Sequence, residues 1–406
     1  SSPFRDAKIA QTSRAGYVTD LPAFDTGLGL TVRPALVAGG EKLGEEGSWV
    51  CTFEPSLDVF QRVGSNTTAM ITVNTDFAET EVDTRKTNLT RFPLFFPEKR
   101  TFFLEGSDIF DFGIGMSSHY HSDVVPFFTR RIGLFQGEAV PLHMGGKVSG
   151  KAGNTNFGGL VTRTGEVDGL APATTMGALR LRQNILKESN VGVLATFGDP
   201  SGSDGSYTIG ADATFQTSTL LGSKNLIAGV WGLATDREGL GGEKTAFGAK
   251  VDYPNDIWDV AATFLRIGDG FDPAMGFVPR PGINKLFGGM SYKVYPSGWS
   301  WLRMMNHQLR PSVIWDLDGK WESYRFFTAP INWRLESGDR IEININPEGE
   351  RLEEPFEIAD GVVIDPGSYH FTRYRLEWEM AAKRVVSGQL SWWFGSFYDG
   401  TLDQIE

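Results

Sequence analysis

Residues 373–380 alternate with a period of two: Tyr374, Leu376, Trp378 and Met380 share one face of an extended chain, and Arg373, Arg375, Glu377 and Glu379 share the other. Only a β-strand sorts neighbours in this way, and the pattern recurs. Tyr207, Ile209, Ala211, Ala213 and Phe215 oppose Thr208, Asp212, Thr214 and Gln216, while Phe247, Ala249, Val251 and Tyr253 oppose Lys250 and Asp252. Ile331, Trp333 and Leu335 oppose Asn332, Arg334 and Glu336. After a Ser-Gly-Asp turn at 337–339, Ile341, Ile343 and Ile345 oppose Arg340, Glu342, Asn344 and Asn346. Roughly fourteen such segments lie between residues 146 and 398, and two or three more among residues 27–76, at lengths near the ~9–11 residues of a tilted membrane strand. Short Gly, Asn, Asp and Ser turns between them imply antiparallel neighbours, so the expected fold is all-β.

Alternation alone does not choose the solvent. In a soluble sandwich the apolar face packs inward; in a membrane barrel it meets lipid and the polar face lines the lumen. Three features favour the barrel. Charges of both signs follow one another on single polar faces, as at Arg373, Arg375, Glu377 and Glu379, which suits a wet interior with side chains laddered across strands. Aromatics gather near segment ends, at Tyr295, Trp299, Trp301, Trp392, Trp393, Phe394, Phe397 and Tyr398, where interfacial girdles fall. Faces such as Ala228, Val230, Gly232 and Ala234 are too thin to fill a two-sheet core but adequate against lipid. The expectation is an antiparallel transmembrane β-barrel of roughly 14–18 strands.

Composition agrees. The 406 residues include 49 Gly, 29 Phe, 11 Trp and 10 Tyr, which fits a large all-β chain. A net charge of -12 without a basic tract argues against a nucleic-acid partner. Cys51 stands alone, which excludes an intrachain disulfide and a Cys-rich zinc site. No run of about 20 apolar residues is present, so no transmembrane helix is expected.

One stretch breaks the strand pattern. In residues 77–135, Phe92, Phe95, Phe96, Phe102, Phe103 and Phe110 need burial, yet Glu98, Lys99, Arg100 and Glu105 are interleaved with them and would be costly to bury unpaired. Such a segment wants a roofed, partly wet cavity, and a strand-poor stretch of this length usually has a role of its own. The organisation read from the chain is a leading segment with the first strands over 1–76, the motif-bearing plug or mouth segment over 77–135, and barrel strands over 136–406. Whether 77–135 enters the lumen or packs on the rim stays open at this stage.

The words of this stretch resemble a known family. NTDFAETEVD (74–83), NLTRF (88–92), FFPEKRTFFLEGSDIFDFG (95–113), FFTRRIG (127–133) and FDPAMGFVPR (271–280) are similar to the family filed as domain of unknown function 5916. Its members are predicted outer-membrane β-barrels of Gram-negative bacteria, often with an N-terminal carbohydrate-binding-module family 9-like domain. The resemblance implies the barrel fold, an outer-membrane location and contact with lipid and lipopolysaccharide; it implies no activity. The sugar-binding module has no counterpart here, so sugar binding does not carry over. Members generally continue with more strands past a stretch like SWWFGSFYDG (391–400).

Within the segment two roles compete. Glu98, Lys99, Arg100 and Glu105, with Arg130 and Arg131, would form either a charged constriction that selects solutes or an ion-pair network fastening the segment to the lumen, with Phe95, Phe96, Phe102 and Phe103 as anchors. Arg130 and Arg131 would alternatively bind lipopolysaccharide phosphates. His119 and His121 with Asp123 make a weak candidate metal site, for want of further ligands. No catalytic residue is assigned and no cofactor is expected: a G-x-S-x-G elbow and a phosphate-binding glycine loop are both missing. Three functions remain: a channel or transport/assembly component with a periplasmic or surface protein partner, a membrane-embedded hydrolase near residues 117–123, and a structural anchor. The connections 268–285 and 346–367, the second acidic, are the candidate outer loops.

Overall fold

The computed structural model describes residues 27–42, 49–75, 91–117, 122–359 and 361–406, and the statements below concern these. In chain order the strands begin with β1 (Leu30–Lys42), β2 (Trp49–Val63) and β3 (Thr67–Thr75), followed after the motif segment by the short β4 (Leu134–Phe135) and β5 (Glu138–Ala139). Next come β6 (Leu142–Ala152), β7 (Thr155–Thr164), β8 (Thr175–Ile185), β9 (Ser189–Phe197), β10 (Tyr207–Leu220), β11 (Lys224–Asp236), β12 (Thr245–Pro254) and β13 (Trp258–Ile267). The last part holds β14 (Ile283–Val294), β15 (Leu302–Asp316), β16 (Trp321–Leu335), β17 (Arg340–Leu352), the short β18 (Phe356–Ala359) and β19 (Val362–Ile364), β20 (Gly367–Glu379), β21 (Gln389–Phe397), β22 (Gly400–Thr401) and β23 (Gln404–Ile405). Helix is confined to α1 (Thr101–Leu104) and two 3-10 turns, Ser107–Phe110 and Thr129–Arg131. The chain is all-β.

The hairpins β4–β5 and β18–β19 stand apart; every other strand belongs to one 19-stranded antiparallel sheet. Each long strand pairs with the next long one in sequence, which is what short turns between alternating segments dictate. The chain's end continues that rule. Thr401 pairs with Ser396, Gly400 with Phe397, Gln404 with Trp393 and Ile405 with Trp392. Between and beyond them, Leu402 N–H donates to the Gly395 carbonyl at 3.1 Å, and Ser391 and Glu406 exchange bonds of 3.0 and 2.9 Å. All of these keep one register, so residues 400–406 are a single strand against β21. Merging β22 and β23 turns the nineteen segments into eighteen, an even number, and β1 and strand 400–406 therefore run antiparallel to each other. Among the described residues these two edges do not pair.

The two faces of the sheet are inverted relative to a soluble protein. Val161, Leu179, Val193, Ile209, Val230, Val251, Leu286, Leu376 and Trp378 are exposed, Leu179 at 50% and Trp378 at 47%. The alternate positions are buried and polar: Thr72, Lys147, Asn156, Thr162, Arg180, Thr196, Asp212, Asp252, Lys285, Asn344 and Asn346. Period two explains the sorting, because neighbours on a strand cannot share a face. β11 departs from the pattern by being apolar on both faces, with Ile227, Trp231 and Leu233 buried opposite Ala228, Val230 and Gly232.

The connections are unequal at the two ends of the strands. One end has the turns 64–66, 153–154, 186–188, 221–223, 255–257 and 336–339, with 295–301 and 380–388 the longest. The other end has 76–141, 165–174, 198–206, 237–244, 268–282 and 353–366, together with the short turns 317–320 and 398–399. β17 reaches Leu352, so the acidic connection starts later than the 346–367 expected, and β18 and β19 form a small hairpin inside it.

Candidate functional site

Residues 91–117 and 122–135 lie against the buried polar face, and their first knot is Glu98 with Arg100. Glu98 Oε1 accepts the backbone N–H groups of Lys99 and Arg100, both at 3.0 Å, and Arg100 Nε at 2.9 Å. Its Oε2 accepts Arg100 Nη2 at 2.7 Å and the Thr129 hydroxyl at 2.6 Å. Arg100 then reaches across the segment, donating through Nη1 to the Ile132 carbonyl at 2.7 Å and through Nη2 to the Thr129 carbonyl at 2.8 Å. Its guanidinium lies 4.1 Å from the Phe103 ring centroid. A buried ion pair survives desolvation only when its remaining donors and acceptors are also satisfied, and this one has five further hydrogen bonds.

Burial alone would raise the Glu98 pKa, but the hydrogen bond and charge of Arg100 with the Thr129 hydroxyl outweigh it and hold the carboxyl below its ordinary 4.5. A carboxyl whose folded pKa is depressed binds fewer protons folded than unfolded. Its stabilisation is therefore complete above about pH 4.5 and is lost as pH falls through the lower folded value. Acid should loosen residues 98–132 in the wild type, whereas Glu98→Gln should be loosened already at neutral pH and respond less to acid. Limited proteolysis of the segment across pH 3–7 reads this directly.

The other expected residues are placed as follows. Lys99 contributes its backbone N–H to Glu98, and Glu105 its carbonyl to Lys147. Arg130 Nη1 donates to the Pro97 carbonyl at 3.1 Å beside the Phe96 ring, and Arg131 Nε to the Gly276 carbonyl at 3.0 Å. Phe95 meets Phe128 at 5.3 Å and Phe277 at 5.6 Å; Phe102 and Phe103 stack edge to face at 5.0 Å and are buried. His119 and His121 lie outside the described residues. Asp123 is buried and pairs with Lys285 Nζ at 2.6 Å. Among the described residues no group of three metal-ligating side chains forms.

The sheet holds the segment through side chains that sequence reading placed only on a polar face. From β6, Lys147 Nζ donates to the Phe102 and Glu105 carbonyls at the end of α1. From β8 and β10, Arg180 and Asp212 form a bidentate pair of 2.5 and 2.9 Å; Arg180 Nε also holds the Asp111 carbonyl at 3.1 Å, and Asp212 accepts Gly113 N–H at 3.3 Å. From β11, Trp231 Nε1 donates to the Ile114 carbonyl at 3.2 Å. Gly113 and Gly115 have φ of 60° and 76°, and a Cβ there would come within 2.9 Å of Trp231 and 2.7 Å of Thr263, so the chain hugs the sheet only as glycine. A polar pocket of about 200 Å³ remains between residues 111–117 and Arg180, Arg182, Asn190, Asp212 and Thr214.

The loop 268–282 closes over the segment from the long-loop end. Val125 and Phe277 exchange backbone bonds of 2.9 and 2.8 Å, and Phe128 N–H donates to the Met275 carbonyl at 2.7 Å. Two apolar clusters complete the fastening. One joins Phe112, Met116 and Val124 to Trp231, Leu265 and Phe271; the other joins Phe102, Phe103 and Ile132 to Leu142, Leu160 and Met275. The sequence motifs 95–113, 127–133 and 271–280 are thus one body in space.

Residues 37–143 match the family described as Domain of unknown function (DUF5916). That match covers β2, β3 and the whole described part of the motif segment. No curated protein and no solved structure matches the chain.

Proposed function

We propose that the chain is an outer-membrane β-barrel of a Gram-negative bacterium, acting as a channel or a transport/assembly component whose lumen is constricted by residues 91–135. The observation that carries this reading is the inverted sheet: exposed Leu179, Val193, Ile209 and Trp378 opposite buried Arg180, Asp212 and Asn344. Water on that apolar face would be unfavourable over eighteen strands, whereas hydrocarbon suits it. Exposed apolar side chains recur on strand after strand of this face, and a contiguous apolar surface marks a membrane or partner contact.

Further features support lipid as the outer solvent. Short turns at one end and long loops at the other are the asymmetry of outer-membrane barrels. Exposed aromatics mark the short-turn end, where Trp258 stacks on Tyr292 at 4.4 Å, Trp299 on Trp301 at 5.7 Å, and Trp378 projects outward. Among the described residues the edges β1 and strand 400–406 run antiparallel and carry no partner strand, an arrangement compatible with closure. In this reading the Glu98–Arg100 knot and the Lys147, Arg180 and Lys285 contacts are fasteners of an internal plug, and the long loops face lipopolysaccharide and any surface partner.

Two measurements test the proposal. The purified chain should require detergent to remain monodisperse; stability as a monomer in plain buffer would refute the membrane reading. In planar bilayers the intact protein should conduct in small or gated steps, and deletion of residues 86–112 should enlarge them. A deletion variant that folds and leaves a closed pore closed would remove the plug.

A further inference from the structure

The segment covers only part of the polar face. Its fastenings to buried side chains fall on β6, β8, β10, β11 and β14, and it touches β17 through Arg91 with Glu350 at 3.5 Å, while the rest of the polar faces of β17 and β20 carries a ladder of its own. There Arg340 pairs with Glu342 at 2.7 Å and with Glu377, and Arg375 bonds Glu342 at 2.6 Å, Glu377 at 2.7 Å and Asn344 Oδ1 at 2.6 Å. Every carboxylate oxygen and guanidinium edge in that ladder answers another.

Arg373, two residues along the same face from Arg375, does not follow. Among the described residues its side chain has no ion pair and no hydrogen bond, and both Nε and Nη2 are shielded from solvent without an acceptor. The carboxylate beside it, Glu348, is taken by Arg325 at 2.9 Å. Directly across in register stands Asn346, 1% exposed, with Oδ1 and Nδ2 both lacking a partner. Trp393 and Phe397 flank the guanidinium, their ring centroids 5.4 and 5.9 Å from its Cζ.

From this geometry we infer that Arg373 and Asn346 form a binding subsite for a carboxylate-bearing solute with a flat apolar body. Nε and Nη2 are the two adjacent donors of one guanidinium edge, the spacing that matches both oxygens of a carboxylate. Asn346 Nδ2 supplies a third donor, and its Oδ1 accepts from a hydroxyl or ammonium on the solute. Trp393 and Phe397 give the body of the solute an aromatic wall. A half-buried guanidinium whose Nε and Nη2 lack an acceptor is unfavourably placed until an anion reaches it. The subsite requires water on the polar face, as the proposed barrel provides, but it does not require the chain to conduct.

Benzoate is a suitable probe, followed by saturation-transfer NMR on the full chain in detergent. Benzoate should bind the wild type, and Arg373→Gln should weaken it about tenfold or more, the scale of one lost charge-assisted pair. Arg373→Lys, which keeps the charge but loses the fork, should fall between. Arg303→Gln, at an exposed arginine paired with Glu336, should match the wild type. Because Arg373 makes no hydrogen bond or ion pair among the described residues and touches only the Trp393 and Phe397 rings, Arg373→Gln should shift the thermal midpoint little, which separates a lost site from a lost fold. The inference is overturned by no transfer to the wild type, by equal binding in Arg373→Gln, by equal binding of benzyl alcohol, or by inorganic phosphate displacing benzoate as well as acetate does. Loss of conductance with benzoate binding intact would count against the channel and not against this site.

Discussion

Arg180→Met should destabilise the protein by about 3–5 kcal/mol, because it leaves the Asp212 carboxylate buried without its bidentate partner. Both side chains are almost wholly enclosed, Arg180 at 1% and Asp212 at 4%, so the stranded carboxylate stays poorly hydrated. The same change releases the Asp111 carbonyl that Arg180 Nε holds, and it weakens the hold of Asp212 on Gly113 N–H. Loss should therefore spread into residues 111–117, seen as a lower thermal midpoint by tryptophan fluorescence and as faster proteolysis within 91–135. The double variant Arg180→Met, Asp212→Leu should recover most of the global stability, since an apolar pair leaves no charge stranded. It should not recover protection of the segment, because the bonds to Asp111 and Gly113 stay broken. A single variant with wild-type midpoint would show that the pair does not hold the segment to the sheet.

What the sequence made legible follows from how local each signal is. Period-two alternation is a property of neighbours on one strand, so the faces of β10, β12, β17 and β20 were readable residue by residue, and Ile209, Val251, Ile345 and Leu376 are all on the exposed side. Antiparallel order followed from turn length. The segment 77–135 was marked by its clash of phenylalanines and charges, and Glu98 with Arg100 is a contact two residues apart in sequence. Its partners on the sheet are 42 to 162 residues away, as Lys147 is from Glu105 and Lys285 is from Asp123, and one chain contains nothing local that pairs them. Trp231 hid for another reason: on β11 both faces are apolar, so alternation loses its contrast where the segment packs. Residues 400–406 lie beyond the last strand counted from sequence because seven residues with a Gly and two Asp or Glu show little periodicity; their strand is defined by register against β21, which is a tertiary property.

The solvent outside the sheet decides the sign of one further substitution. Leu179 stands midway along β8 on the apolar face, half-exposed, paired with Gly159 on β7 and Ala195 on β9. In water, replacing an exposed side chain that makes few contacts changes stability by no more than about 0.5 kcal/mol, and an added charge improves solubility. In a bilayer, arginine facing lipid near the midplane costs about 2–4 kcal/mol, falling toward zero at the interfaces. Leu179→Arg should therefore weaken folding into phospholipid vesicles by that amount in a urea titration, and the same change at an end of the strand, Ile185→Arg, should have a much smaller effect. The dependence on depth is the informative part: a soluble sheet has no midplane, so equal and small effects at residues 179 and 185 would mean that water, and not hydrocarbon, touches the apolar face.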